Sequence, residues 1–221
     1  MHRVRVWDLP TRLFHWTLMA SFVGLIVTGS VGGNLMEWHL RLGLLVMALL
    51  LFRLVWGFLG GRWSRFASFV YSPATCWRYL KGQETPEHNV GHNPLGALSV
   101  FAMLALLLAQ VGSGLVSDDE IAFFGPLVGF VSSQTVASAT WYHKEVGKLI
   151  LLGLIAVHLI ALVYYRFVKS ESLTTAMLNG DKVLPHAATP SRDDGRHRML
   201  ALVVFAACCG VAYWVGGLGQ V

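Results

Sequence analysis

Charge is what this sequence has least of. Only 13% of its 221 residues are Asp, Glu, Lys or Arg, against about a quarter in soluble domains, while 55% are hydrophobic. Such a chain cannot cover itself with water-facing side chains, which excludes an ordinary soluble globule. Cysteine is scarce as well. Cys76, Cys208 and Cys209 form neither CxxC nor CxxCH, so covalent c-type haem attachment is excluded by spacing, and the odd count argues against a disulfide framework. Cys208 and Cys209 sit in an apolar run, where cysteine behaves as a small hydrophobe. No A-x-A-like site follows the first apolar stretch, which therefore reads as an uncleaved span and not a secretory signal. There is no internal repeat. The net charge of +5 sits in short segments between apolar runs, which suits anionic lipid headgroups and gives no nucleic-acid-binding face.

What is present is length of hydrophobic run. A bilayer core of about 30 Å takes about 20 apolar residues in a helix, and five stretches reach that length. They run approximately from Leu13 to Val31, Trp38 to Leu59, Leu95 to Val116, Trp141 to Val168 and Met199 to Leu218. Trp16, Trp38, Trp56, Trp141 and Tyr165 fall near their ends, as interfacial aromatics do. Between them, a surface helix is expected around Pro73 to Lys81, and Asn93-Pro94 reads as an N-cap with proline in the first turn. Residues 184–197 read as a flexible linker to the fifth span.

Basic residues alternate between connections. Arg3, Arg5 and Arg12 precede span one; Arg62, Arg65, Arg78 and Lys81 lie between spans two and three; Lys169, Lys182, Arg192, Arg196 and Arg198 lie between spans four and five. The other two connections have no basic residue, and one carries Asp118, Asp119 and Glu120. Positive-inside bias then predicts a cytoplasmic N-terminus and a C-terminus on the outer side of the membrane.

Four histidines fall within the spans: His15, His39, His143 and His158. Ionisable groups there are costly and face the protein interior. By depth they form two level pairs. His39 and His143 both start their spans at the outer face. His158, about 22 Å further along its helix than His143, reaches the inner half with His15, and the rotation of about 60° keeps both rings on nearby faces. Two rings from different helices at one depth suit bis-imidazole ligation of a planar haem. His39 is followed at i+4 by Gly43 and His143 by Gly147, on the same faces, where glycine leaves room for a flat macrocycle. A single zinc or copper ion does not suit residues 15 positions apart on one helix. A proton relay stays open, although the spans contain no internal Asp or Glu to continue it. Arg12, Arg41, Arg53, Lys144, Lys148 and Arg166 lie near span ends, where they snorkel to headgroups or pair with haem propionates; Arg12 is counted among the cofactor-binding candidates. His88, His92, His2, His186 and His197 read as solvated surface residues.

These residues resemble the bacterial cytochrome b561 family, which includes the b-type cytochrome subunits of membrane-bound nickel-iron hydrogenases. The stretches that carry the resemblance are Val6-Trp7-Asp8-Leu9-Pro10-Thr11-Arg12-Leu13-Phe14-His15-Trp16, His39 with Gly43, Arg53-Leu54-Val55-Trp56-Gly57, His92-Asn93-Pro94-Leu95-Gly96 with Gln110, and His143, His158 and Tyr164-Tyr165-Arg166. The resemblance covers residues 3 to about 180 in order. It implies an all-α membrane protein with a four-helix haem-binding bundle over residues 1–180, two haems b, and His15, His39, His143 and His158 as axial iron ligands. Residues 181–198 would be a cytoplasmic linker, and 199–221 a fifth transmembrane helix added to the family core.

The function implied is electron transfer across the membrane between the quinone pool and a periplasmic redox protein, either hydrogenase-like or a c-type cytochrome. Direct quinone chemistry, with the quinone near the inner haem, would make the chain an oxidoreductase in its own right. Self-association is left open. Three competing readings remain: a stand-alone relative that reacts with superoxide, a haem-free anchor that recruits a partner through span five, and a small transporter. The last predicts a polar-lined route, and these spans have few polar residues apart from the histidines.

Overall fold

A computed structural model describes residues 1–219. In chain order the elements are β1 (His2–Arg5), α1 (Leu9–Val31), α2 (Met36–Leu59), α3 (Pro73–Leu80), α4 (Pro94–Leu115), α5 (Ser133–Trp141), a π-helical turn (Tyr142–Gly147), α6 (Lys148–Phe167), α7 (Leu173–Asn179), β2 (Asp181–Leu184) and α8 (Gly195–Gly217). Among the described residues, five helical segments are long and apolar enough to cross a membrane: Leu9–Val31, Gly33–Leu59, Pro94–Leu115, Ser133–Phe167 and Gly195–Gly217. A helix satisfies its own backbone hydrogen bonds, which is why such segments can enter lipid at all. The second of them is the most enclosed, with 44% of its apolar window buried against 11–22% in the others. Four of the five match their expected lengths closely. The fourth begins eight residues before the expected Trp141, because Ser132 caps it by accepting from Thr135 N–H (3.3 Å). The small polar residues that follow form helix without giving an apolar signal.

The chain divides into two compact units. The first comprises Met1–Phe14, Arg53–Ala102 and Ile155–Leu202. In it β1 pairs antiparallel with β2, His2 opposite Leu184 and Arg5 opposite Asp181. Val4, Val6, Trp7, Val90, Ala176 and Leu184 form its buried cluster. α7 ends at Gly180 in the left-handed conformation (φ 91°), a position glycine takes without a Cβ clash. There the Gly180 carbonyl accepts from Val6 and Trp7 N–H (2.8 and 3.0 Å).

Segment 184–197, expected to be a flexible linker, is instead tied down. Ser191 Oγ donates to the Val6 carbonyl (2.6 Å), Trp63 Nε1 donates to the Thr189 carbonyl (2.8 Å), and Asp193 accepts from Arg5, Arg198 and the Leu9 N–H. Apart from Arg198, these partners are far away in sequence, so nothing local announces them. The surface helix appears as α3, capped by Ser72. Asn93 accepts from Gly96 N–H (2.7 Å) at the start of α4, as its sequence predicts.

The chief fixed point of this unit is Asp8, which has no exposed surface. Its Oδ1 accepts from Thr11 N–H (2.8 Å) and Trp56 Nε1 (3.2 Å). Its Oδ2 accepts from Gly61 N–H (2.9 Å) and Ser64 Oγ (2.7 Å). Three of the histidines expected at the surface are enclosed here. His88 is buried and accepts from Thr85 N–H at Nδ1 (3.2 Å), His92 packs between Trp7 and Phe69, and His197 is buried beside Trp56. Aromatic neighbours from remote positions supply that cover, so the polar flanks of these histidines mislead.

The second unit comprises His15–Phe52, Met103–Leu154 and the chain from Val203. Within it small residues set close approaches. A Cβ at Gly24 would stand 2.8 Å from Leu42 Cδ1, and one at Gly216 2.6 Å from Leu44 Cδ1, as small residues do between membrane helices. Phe52 meets Phe205 edge to face at 5.8 Å.

Asp8→Ala leaves four buried donors without their acceptor, an expected cost of about 3–5 kcal/mol. In detergent the midpoint of thermal unfolding should fall on the order of 10 °C; a shift below about 2 °C would remove Asp8 from this role.

Candidate functional site

The second unit contains a cavity of about 550 Å³, within the ~300–1,000 Å³ of sites that take small molecules and cofactors. His39 and His143 both line it, with Gly29, Gly43, Gly114 and Gln110. Their ring centroids lie 6.1 Å apart with the planes at 84°. The two rings are held in the same way by different helices. His39 Nδ1–H donates to the Leu25 carbonyl (3.1 Å), with Thr28 Oγ1 at 3.3 Å. His143 Nδ1–H donates to the Gln110 carbonyl (2.9 Å), with Ser113 Oγ at 3.3 Å. A carbonyl can only accept, so the proton is on Nδ1 in both rings and the Nε2 lone pairs are left for a ligand.

Each support is one turn of helix: a carbonyl, a hydroxyl three residues on, and a glycine at the fourth. A Cβ at Gly29 would stand 2.9 Å from His39 Cε1, and one at Gly114 2.9 Å from His143 Cε1. The glycines are the room the imidazoles occupy. Sequence reasoning missed both sets, although Thr28-Gly29 and Ser113-Gly114 are the same hydroxyl-glycine pair inside an apolar helix. It also missed the widened π-helical turn that carries His143, a feature common at functional sites.

The glycines expected at i+4 behave differently from one another. Gly43 lines the cavity, and a Cβ there would meet nothing within 4 Å. At Gly147 that space is taken: a Cβ would fall 2.1 Å from Gln110 Oε1 and 2.8 Å from Tyr142. Gly147 therefore makes room for the Gln110 side chain, whose Nε2 donates to the His143 carbonyl (2.9 Å), and leaves no gap for a macrocycle. His15 is half-buried on α1, edge-on to Trp16 at 5.4 Å, in the second unit. His158 is half-buried on α6, in the first. Arg12, also in the first unit, donates from Nη1 to the Leu178 carbonyl (2.6 Å).

At the cavity's rim stand Glu37, Arg41, Lys144, Lys148, Asp118 and Asp119. The connection after α4 folds back over that helix end, with Leu127 N–H donating to the Leu115 carbonyl (2.9 Å), which satisfies one of the orphan carbonyls there. Asp119 Oδ1 accepts N–H bonds from Ile121, Ala122 and Phe123, each 2.9 Å. Hydrogen bonding from the Phe123 N–H, against a smaller opposing effect of burial, holds its carboxyl below the usual aspartate range. The rim thus keeps this negative charge at neutral pH.

Five long apolar helices in a helical chain define a multi-pass, all-α membrane protein. The chain belongs to the prokaryotic cytochrome b561 family, whose sequence model matches residues 6–180. It is 29% identical over 215 residues to the probable Ni/Fe-hydrogenase B-type cytochrome subunit of Azotobacter vinelandii, covering 80% of this chain and 87% of that one. To the subunit of the same description from Bradyrhizobium diazoefficiens it is 25% identical over 217 residues, covering 81% and 85%. Similarity to the probable Ni/Fe-hydrogenase 1 B-type cytochrome subunit of Escherichia coli (strain K12) is 26% over 150 residues, covering 55% and 64%. No solved structure matches the chain. Family membership brings haem b and membrane electron transfer with it.

Gly29→Ala and Gly114→Ala should each push an imidazole out of place and speed haem loss to a soluble scavenger about tenfold. Gly153→Ala, whose Cβ enters open space, should leave it unchanged. Equal retention in all three would show that ring placement is not what holds the cofactor.

Proposed function

We propose that this chain carries two haems b and moves electrons across the inner membrane between the quinone pool and a periplasmic redox partner. His39 and His143 would hold the iron of the outer haem, and His15 and His158 that of the inner one. The observation that carries the reading is the His39–His143 pair. Two imidazoles that would hold one flat macrocycle must come from different helices, face each other closely and keep a ring nitrogen free for it. The pair stands at 6.1 Å, with both Nδ1 atoms committed to carbonyls and a cavity of cofactor size beside them. The residues present fit the group.

Haem b, when bound, supplies reversible one-electron redox chemistry. The chain does the rest. The Leu25 and Gln110 carbonyls fix each tautomer and raise the basicity of the ligating nitrogen. Apolar walls such as Phe22, Leu107 and Leu151 keep water from the site and tune its potential. The basic connections 60–93 and 168–194 lie on the cytoplasmic side, and the uncharged and acidic ones, 32–35 and 117–132, on the periplasmic side. For His15, His158 and Arg12 the reading rests on depth along the helices and on the family. The relatives named as hydrogenase cytochrome subunits favour a hydrogenase-like partner over a c-type cytochrome. The quinone belongs near the inner haem, on the family resemblance alone.

A dithionite-reduced minus oxidised spectrum with a pyridine haemochrome count tests this. Two haems b per chain are expected, falling to one in His39→Ala or His143→Ala, with the remaining haem lost instead in His15→Ala or His158→Ala. A folded chain that is colourless from a haem-replete host would refute the reading and leave the anchor function in its place.

A further inference from the structure

Of the 17 lysines and arginines, fourteen lie in the first unit and only Arg41, Lys144 and Lys148 in the second. All three line the cavity that holds His39 and His143. Their placement is specific to that cavity, since the rest of the second unit has no cation at all. Arg41 is already engaged: it pairs with Glu37 and lies over the Trp38 ring at 5.2 Å. Lys144 and Lys148 stand four residues apart across the π-helical turn and make no ion pair among the described residues.

One rim carboxylate, Asp119, is near enough to Lys144 to interact with it electrostatically without an ion pair; the hydrogen bonds of the rim carboxylates are made elsewhere. Glu37 is with Arg41, Asp118 Oδ1 accepts from Glu120 N–H (2.8 Å), and Asp119 Oδ1 takes three N–H bonds of its own loop. Two like charges one turn apart repel each other, and cations within a membrane-crossing helix are costly without an anion. An apolar cavity lined by two imidazoles and by two lysines of one helix segment, neither in an ion pair among the described residues, is complementary to a flat apolar molecule with two carboxylates on one edge.

We propose that Lys144 and Lys148 bind the two propionates of the haem held by His39 and His143, with Arg41 outside that clamp. This rests on the ligand assignment above. It separates the basic residues that the sequence left equivalent, since Arg12, Arg53 and Arg166 belong to the other unit. The ammonium groups keep the propionates ionised, and their positive charge favours the reduced haem over the oxidised one.

The test is a redox titration of the purified holoprotein, compared with Lys144→Met/Lys148→Met, Lys144→Arg/Lys148→Arg and Arg41→Met. In the double methionine variant one of the two midpoints should fall by an amount worth about tenfold in the equilibrium, ~59 mV for one electron, while the other stays. The shifted midpoint should also become pH-dependent near neutrality, because propionates without their cations begin to protonate on reduction. Selective loss of that haem would support the clamp equally. The arginine pair should restore the wild-type values. If the double variant does not accumulate, Lys144→Met and Lys148→Met singly read the same midpoint. Unchanged midpoints with both haems present would overturn the clamp, and a matching fall in co-purified anionic phospholipid would assign the lysines to headgroups. An equal shift in Arg41→Met would also overturn it, in favour of a diffuse field. If His39→Ala and His143→Ala leave both haems in place, the ligand assignment itself fails, and that result is read separately from the lysines.

Discussion

A buried carboxylate has to be satisfied completely or it unfolds its surroundings, and Asp8 is such a group. Its four donors come from the first turn of α1, from the last turns of α2 and from the turn that follows. Meeting them draws those segments to one point and sets Trp56, itself fully enclosed, against His197 at the start of α8. The ends of three membrane helices are thereby fixed around one anion. Neighbouring polar groups share the same logic: Thr11 Oγ1 donates to Ser64 Oγ (2.8 Å), and Ser64 passes its own proton to Asp8. In a chain so poor in charge, this charge is spent on joining elements.

The second unit solves a different problem with less material. Imidazoles inside a membrane protein must be aimed, since an unconstrained ring is a poor ligand. α1 and α4 each do this with a carbonyl, a hydroxyl and a glycine on one turn. The carbonyl sets the tautomer and the glycine sets the distance. Because two unrelated stretches arrive at the same device, the geometry of the pair follows from helix periodicity and not from a chance contact.

The portion beyond the family match also has structural work. The matched region ends at residue 180, yet β1 pairs with β2, at residues 181–184. Asp193, Ser191 and His197 extend the same attachment towards α8. The fifth apolar helix is thus fastened to the family core by polar contacts at its N-terminal end and by apolar ones, such as Phe52 with Phe205, within the second unit.

Five spans, their approximate ends and the helix start at Asn93-Pro94 were all legible in the amino-acid sequence. Bilayer thickness and the rise of a helix are the same for every chain, so apolar length translates directly into position. Whatever depends on a partner far along the chain was not legible. The cover over His88, His92 and His197, the anchoring of 184–197 and the Gln110 side chain that fills the space at Gly147 come from contacts that no local pattern encodes. The sequence by itself determined which segments are long and apolar enough to cross a membrane. Only the tertiary structure decided which groups face His39 and His143, because a side chain's neighbours are set by packing across helices and not by its place along one.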